Sequence, residues 1–366
     1  MKRISVVRIA CLFLVLAGIA VLPCLAACGP LQGPGDLIQI TTSPYYDRNP
    51  SMFQAKDGTY WLFYTRGRDE RKIRDVGGYN PDLDYYDIYY RTAKAIPGLV
   101  AAQERKVLVT PPDNAQRDVA ALQAGDGTIR VFASTGLGPG GERSVYYYTF
   151  QAGAWSGPVA VPGTDYAAHV DAVEKDGKLW VFYDRGYELF VTSYSLKTGV
   201  WSSPVSIHTE ATIAKALLDN GKFFAVWVPS SGAGVYLSTS PDGITWTSTT
   251  APIAQWPGPG ITNWDPVLAR DGKVFRLFWA PSNAEQFLAT TSSPDPMKPA
   301  SWSPPVRLTT AMSGSNGWWD FWPEPVLRGR WAMGSPAIVF TSERNREGTA
   351  RIDGNIWLYV STSRCF

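Results

Sequence analysis

One phrase recurs six times along the chain: a polar lead-in, an apolar run, an Asp-Gly-type turn and an aromatic-rich run. It begins as Asn49-Pro50-Ser51-Met52, turns at Asp57-Gly58 and returns as Trp61-Leu62-Phe63-Tyr64. Further copies start at Asp118, Asp171, Lys215, Asp265 and Glu324, with turns at Asp126-Gly127, Asp176-Gly177, Asn220-Gly221, Asp271-Gly272 and Arg328-Gly329. A strand–turn–strand unit repeating every roughly 45–70 residues is the mark of radially repeated sheets. The expected fold is therefore all-β: a six-bladed β-propeller, or a five-bladed one if the weaker Lys215 copy is no blade. Tyr, Trp, Phe, Val and Thr fill the apolar runs and no long helical periodicity interrupts them, which agrees with strands.

Each unit has a second half. Third strands are expected at Asp87–Arg91, Val145–Tyr148, Leu189–Thr192, Val235–Ser238, Phe287–Thr290 and Ile356–Tyr359. Fourth strands follow a Trp-led phrase at Trp155, Trp201, Trp302 and, more loosely, Trp246; these tryptophans are expected in the core between sheets. Prolines in these segments suit an outermost strand, whose edge needs no partner. The sixth unit ends at Phe366 without a fourth strand, whereas Leu37-Ile38-Gln39-Ile40-Thr41 resembles Val306-Arg307-Leu308-Thr309. The N-terminal segment is thus expected to complete the last blade and close the ring, which protects the edges. The Asp-Gly turns are expected to be type I′ hairpins.

Residues 1–27 read as a lipoprotein signal peptide: Lys2, Arg3 and Arg8 precede the apolar stretch Ile9–Leu22, and Leu25-Ala26-Ala27-Cys28-Gly29 resembles the bacterial lipobox. That resemblance implies a lipid on Cys28 and a bacterial, extracytoplasmic protein held to a membrane by its lipid. Residues 28–36 read as a flexible tether and 37–366 as a single propeller domain. After cleavage Cys365 would be the one remaining cysteine besides Cys28, so burial rather than an internal disulfide must hold the fold. Removing Lys2, Arg3 and Arg8 from 34 basic residues leaves 31 against 32 acidic ones. A near-neutral chain without a basic cluster gives no electrostatic case for nucleic acid. With two histidines, His169 and His208, a His-rich zinc site is excluded. No metal or other cofactor is called for, a structural calcium ion being the alternative.

In a propeller the first strand of each blade lines the central channel. The lead-ins Asn49, Asp118, Asp171, Lys215, Asp265 and Glu324 are therefore expected at equivalent positions on one axial ring. Crowded carboxylates raise one another's pKa, which is one way to obtain an acid and a base at neutral pH. Glycoside hydrolysis needs such a pair. The expected catalytic set is Glu324 as acid, Asp118 or Asp265 as base or nucleophile, and Asp171 as a tuning or binding group. Arg48, Asn49, Arg117, Lys215, Trp264 and Trp322 would bind an oligo- or polysaccharide substrate, and Asp82, in the acidic stretch Asp75–Asp87, would sit over the mouth. A non-catalytic glycan- or protein-binding propeller is the rival reading. His169 and His208 are taken as ordinary polar residues.

Two likenesses bear on this. Ser240-Pro241-Asp242-Gly243-Ile244-Thr245-Trp246 resembles the Asp-box of sialidases with one residue missing, and Arg48-Asn49-Pro50-Ser51-Met52 with the strand ending at Arg66 is similar to the sialidase Arg-x-Pro segment. The resemblance implies six blades, an arginine at Arg48 for a substrate carboxylate, and Asp82 near the place of the catalytic aspartate. Asp265-Pro266 and Glu324-Pro325 resemble the inner-strand motifs of the arabinanase and xylosidase class, glycoside hydrolase family 43, which implies a sugar-active propeller with five blades.

Overall fold

A computed structural model describes residues 36–43, 45–67, 86–107, 114–137, 143–282, 286–309, 318–326, 337–345 and 352–360. The expected leader, Cys28, the expected tether up to residue 35, Asp82 and Cys365 lie outside them, whereas Asp36, expected as the last tether residue, opens the first strand. The described chain forms 24 strands in six four-stranded antiparallel sheets. The six-bladed reading holds, and the Lys215 copy is a full blade.

Blade 1 holds β2 (Asp47–Gln54), β3 (Tyr60–Gly67), β4 (Tyr86–Ala93) and β5 (Arg105–Lys106). Blade 2 holds β6 (Asn114–Gln123), β7 (Ile129–Leu137), β8 (Arg143–Gln151) and β9 (Ala154–Ala160). Blade 3 holds β10 (Ala168–Lys175), β11 (Lys178–Arg185), β12 (Glu188–Ser195) and β13 (Val205–Thr209). Blade 4 holds β14 (Ala211–Asp219), β15 (Lys222–Pro229), β16 (Tyr236–Ser240) and β17 (Thr247–Ser248). Blade 5 holds β18 (Thr262–Asp271), β19 (Val274–Ser282), β20 (Ala289–Ser293) and β21 (Val306–Arg307). Blade 6 joins β22 (Trp318–Pro325), β23 (Ala337–Asn345) and β24 (Ile352–Val360) to β1 (Asp36–Gln39) from the other end of the chain.

β1 runs antiparallel to β24, pairing Leu37 with Tyr359 and Gln39 with Trp357. The Thr41 hydroxyl then accepts the Ile356 N–H at 2.9 Å, and Ile40 is buried against Met52 and Leu62 of blade 1. The ring is closed by sheet hydrogen bonds and by burial together. Apolar side chains from facing sheets fill one core between each adjacent pair of blades. Trp155, Trp201, Trp246 and Trp302 each pack at the margin of such a core, as expected.

Turn chemistry varies more than expected. Asp176-Gly177 and Asn220-Gly221 have positive φ at both central residues, as type I′ turns require. In blades 1, 2 and 5 only Gly58, Gly127 and Gly272 are left-handed. In blades 1 and 2 the aspartates serve a different purpose: Asp57 and Asp126 accept the N–H of Thr59 and Thr128, each at 2.9 Å, within longer loops.

The larger correction concerns register. Every inner strand carries an irregularity near its start, between Arg48 and Ser51, Gln116 and Val119, Ala168 and Asp171, Thr212 and Lys215, Trp264 and Val267, and Phe321 and Glu324. Two residues therefore bulge out in each blade, and the first has positive φ at Asn49, His169, Ile213, Asp265 and Trp322. The six lead-ins are not equivalent. Asn49 and Asp265 stand at the first bulged place, Asp118 at the second, and Asp171, Lys215 and Glu324 one step beyond the bulge.

Candidate active site

The bulges re-aim side chains at the axis. A narrow cavity there, about 20 Å³ in volume, is lined by Asn49, Asp118, His169, Ile213, Lys215 and Trp322 with their neighbours. That is room for about one water.

Asp118 is the hub. Its carboxylate accepts hydrogen bonds from the Asn49 amide, from Ser134 Oγ at 3.0 Å and from the His169 backbone N–H at 3.2 Å. Burial raises its pKa, but the charges of His169, Arg48 and Arg143 and the Ser134 hydroxyl outweigh burial and hold the group at about 2. Asp265 has the opposite balance. It is 7% exposed, and its Oδ2 accepts the Trp322 N–H at 3.3 Å. Burial raises its pKa to about 6, with Asp118 adding to the rise and the Trp322 N–H, His169 and Lys215 opposing it. The cluster thus holds one carboxylate ionised at any ordinary pH beside a second that keeps its proton into the weakly acidic range.

His169 is the residue that sequence reasoning missed. Its Nδ1 lies 2.8 Å from Asp184 Oδ1, and the other Asp184 oxygen accepts the Thr212 hydroxyl at 2.8 Å. Burial works against the imidazolium, but Asp184 and Asp118, with a smaller contribution from Asp265, lift its pKa to about 9. His169 therefore carries its charge at neutral pH, paired with Asp184 and in contact through its backbone with Asp118. The available signal was position: His169 occupies the same bulged place as Asn49 and Asp265, which a gap-free comparison of the lead-ins cannot reveal.

Arg48 lies at the same mouth. Its guanidinium sits 4.2 Å from the Trp322 ring centre and 5.2 Å from that of Tyr86, and its Nε reaches Asn49 Oδ1 at 3.3 Å. Arg66 is differently engaged, pairing with the fully buried Asp47 and with Glu104.

The remaining expected site residues are placed as follows. Asp171 is fully buried, and its Oδ2 accepts the Ala216 N–H of the next blade at 2.7 Å. Ser51, at the same register, likewise accepts the Ala121 N–H at 3.0 Å. Glu324 shares that register and is 1% exposed, outside the cavity lining. Trp264 precedes the bulge, donates to Thr262 Oγ1 at 2.9 Å and packs on the core between blades 4 and 5. Arg117 belongs to β6, but its side chain is outside the described residues, as is Asp82. Among the described residues no group of three or more His, Cys, Asp or Glu side chains is placed to hold a metal ion.

Away from the axis, the Ser240–Trp246 segment folds around its aspartate. Asp242 Oδ1 accepts the N–H groups of Ile244 and Thr245, each at 2.8 Å, and Trp246 Nε1 donates to Gly243 O at 3.1 Å. Ser293, Asp295 and Trp302 make a related arrangement in blade 5, with Trp302 Nε1 on Pro296 O at 3.2 Å.

No protein-family model matches the chain. A search of curated proteins returns no relative. Solved structures do match. A protein of unknown function from Dyadobacter fermentans superposes with a TM-score of 0.66 at 16% identity, over 89% of this chain and 97% of that one. The phage phi92 endosialidase gives 0.62 at 9%, over 92% and 71%. Trypanosoma rangeli sialidase, in complex with the inhibitor DANA, gives 0.56 at 10%, over 90% of this chain and 58% of its own length. The chain has the fold of a sialidase-type six-bladed β-propeller.

Proposed function

We propose that the protein is a glycoside hydrolase acting on an extracellular glycan at the axial mouth. Asp265 is the proton donor and Asp118 the carboxylate that activates water or attacks. The observation that carries this reading is the split pair itself: two buried carboxylates in one electrostatic cluster, at about 6 and about 2. Groups driven apart in this way are suited to acid and base roles at neutral pH. His169 keeps Asp118 ionised, and Arg48, backed by Trp322 and Tyr86, offers a guanidinium at the entrance. The sialidases among the structural neighbours share this fold, and the sugar-active reading draws on that likeness. Neither Glu324 nor Asp265 is among the residues lining the cavity; Glu324, the acid expected from sequence, gives way to Asp265 in this proposal because Asp265 stands on the bulge, accepts the N–H of the lining residue Trp322 and feels the charges of Asp118 and His169.

The test is release of reducing ends from arabinan, sialosides and galactofuranosides. Asp265→Asn should lower turnover by about 10²–10⁴-fold, the usual contribution of a general acid, with an unchanged circular dichroism spectrum. Unaltered turnover in that variant would refute the assignment. A second reading, a glycan-binding propeller without turnover, is favoured by one observation: the cavity admits a single water, and three donors already occupy Asp118. Binding without cleavage across the panel would select it. We further propose lipid anchoring through Cys28. Loss of metabolically incorporated fatty acid in Cys28→Ala tests this, and equal labelling of both forms would contradict it.

A further inference from the structure

Two tyrosines next to the strand ends of blade 3 that lead to the cavity break a local backbone rule. Tyr187 is the second central residue of the two-residue turn joining β11 to β12, in which Arg185 pairs with Glu188. Its φ is 64° and that of the preceding Gly186 is 58°. Such a turn needs positive φ at both places, and glycine meets this without steric cost. A bulky aromatic in this region is an outlier. Tyr166, two residues before β10, is held at φ 63°. Their side chains gain little burial in return: the two residues are 60% and 61% exposed. Backbone strain at a side chain left mostly exposed is a pointer to function.

Ala168 pairs with Asp184 at the end of β10 and β11 nearest the cavity. Tyr166 precedes the first of these residues by two positions, and Tyr187 follows the second by three. His169, which lines the cavity, and its partner Asp184 thus stand on the strand ends that the two tyrosines flank along the chain. The Tyr187 carbonyl accepts the Ala211 N–H at 2.8 Å, which fixes the turn against the start of blade 4. The other large exposed apolar residues among those described are aliphatic: Val100, Val159, Val200 and Ile244. Rigid aromatic faces with a polar tip, beside Asp165 and Arg185, suit the alternating CH faces and hydroxyls of sugar rings.

Resting on the glycosidase reading, we propose that Tyr166 and Tyr187 form an aromatic platform that holds further sugar units of a polymeric glycan running out of the axial mouth across blade 3. The substrate class is thus an extended polysaccharide chain rather than a lone terminal sugar.

Native gels cast with arabinan, polysialic acid or galactan test this on the full chain. The wild type should be retarded by at least one polymer, and Tyr166→Ala and Tyr187→Gly should each bind that polymer about tenfold more weakly. Tyr187→Gly should also melt at an equal or higher temperature, because glycine relieves the left-handed backbone. Equal retardation of both variants, or no retardation of the wild type by any of the three polymers, would overturn the proposal. Reducing-end release is scored separately. Cleavage abolished by Asp265→Asn with polymer binding indifferent to the tyrosines removes the platform and leaves the hydrolase. Polymer binding that depends on the tyrosines, with no cleavage by the wild type, does the reverse.

Discussion

The His169–Asp184 pair makes a quantitative prediction about stability. The imidazole pKa rises from 6.5 to about 9 on folding. A rise of that size corresponds to about 3 kcal/mol between the charged and neutral forms, an upper figure because solvent screens a side chain that is 30% exposed. The folded-state pKa lies above the unfolded one. The stabilisation is therefore complete below pH 6.5 and is lost as pH climbs through 9. We predict that the unfolding free energy of the wild type, from urea titrations, falls by about 2–3 kcal/mol between pH 6 and pH 9.5. Asp184→Asn and His169→Gln should flatten that slope, whereas His208→Gln should leave it in place. A wild-type slope that survives in His169→Gln would place the responsible group elsewhere and refute the reasoning.

Other outcomes follow from the same geometry. Asp118 has its pKa depressed to about 2, so its stabilisation is present above pH 3.8 and is lost as pH falls through 2; Asp118→Asn should remove about 2 kcal/mol of acid-induced destabilisation, measured by thermal melts between pH 2 and 5. Ile40→Ala, at the ring closure, should cost about 2–4 kcal/mol in urea unfolding, and a cost near zero would contradict the closure described. Gly243 has φ 78°, and a β-carbon there would run into the Trp180 ring; Gly243→Ala should destabilise the chain by about 2 kcal/mol or more, checked by calorimetry.

The fold was legible because the repeat is long, regular and aromatic. Inner strands with aromatic second strands define sheets wherever they occur, and the resemblance of Leu37–Thr41 to Val306–Thr309 was enough to identify β1 as the missing outer strand of blade 6. The site was legible only in part. Asn49, Asp118, Lys215 and Trp322 line the axial cavity, whereas Asp265 does not, and Asp171 and Glu324, which share with Lys215 the place one step past the bulge, are buried away from it. Side chains in a strand alternate between faces, so one or two inserted residues decide which of them reaches the axis. Nothing in the residue types announces such an insertion; it depends on a backbone in the left-handed region that Asn49 and Asp265 tolerate, but that Ile213 and Trp322 adopt against their steric preference. His169 was overlooked for the same reason. Its importance comes from Asp184 on the adjacent strand and Asp118 on the adjacent blade, neither of which a linear reading sets beside it.

The direct test of the split carboxylate pair is a carbon-13 carboxyl NMR titration of the intact protein, with Asp118→Asn and Asp265→Asn supplying the assignments. One midpoint near 6 is expected for Asp265 and one near 2 for Asp118. Midpoints for both groups close to the ordinary aspartate value of about 3.9 would contradict that split.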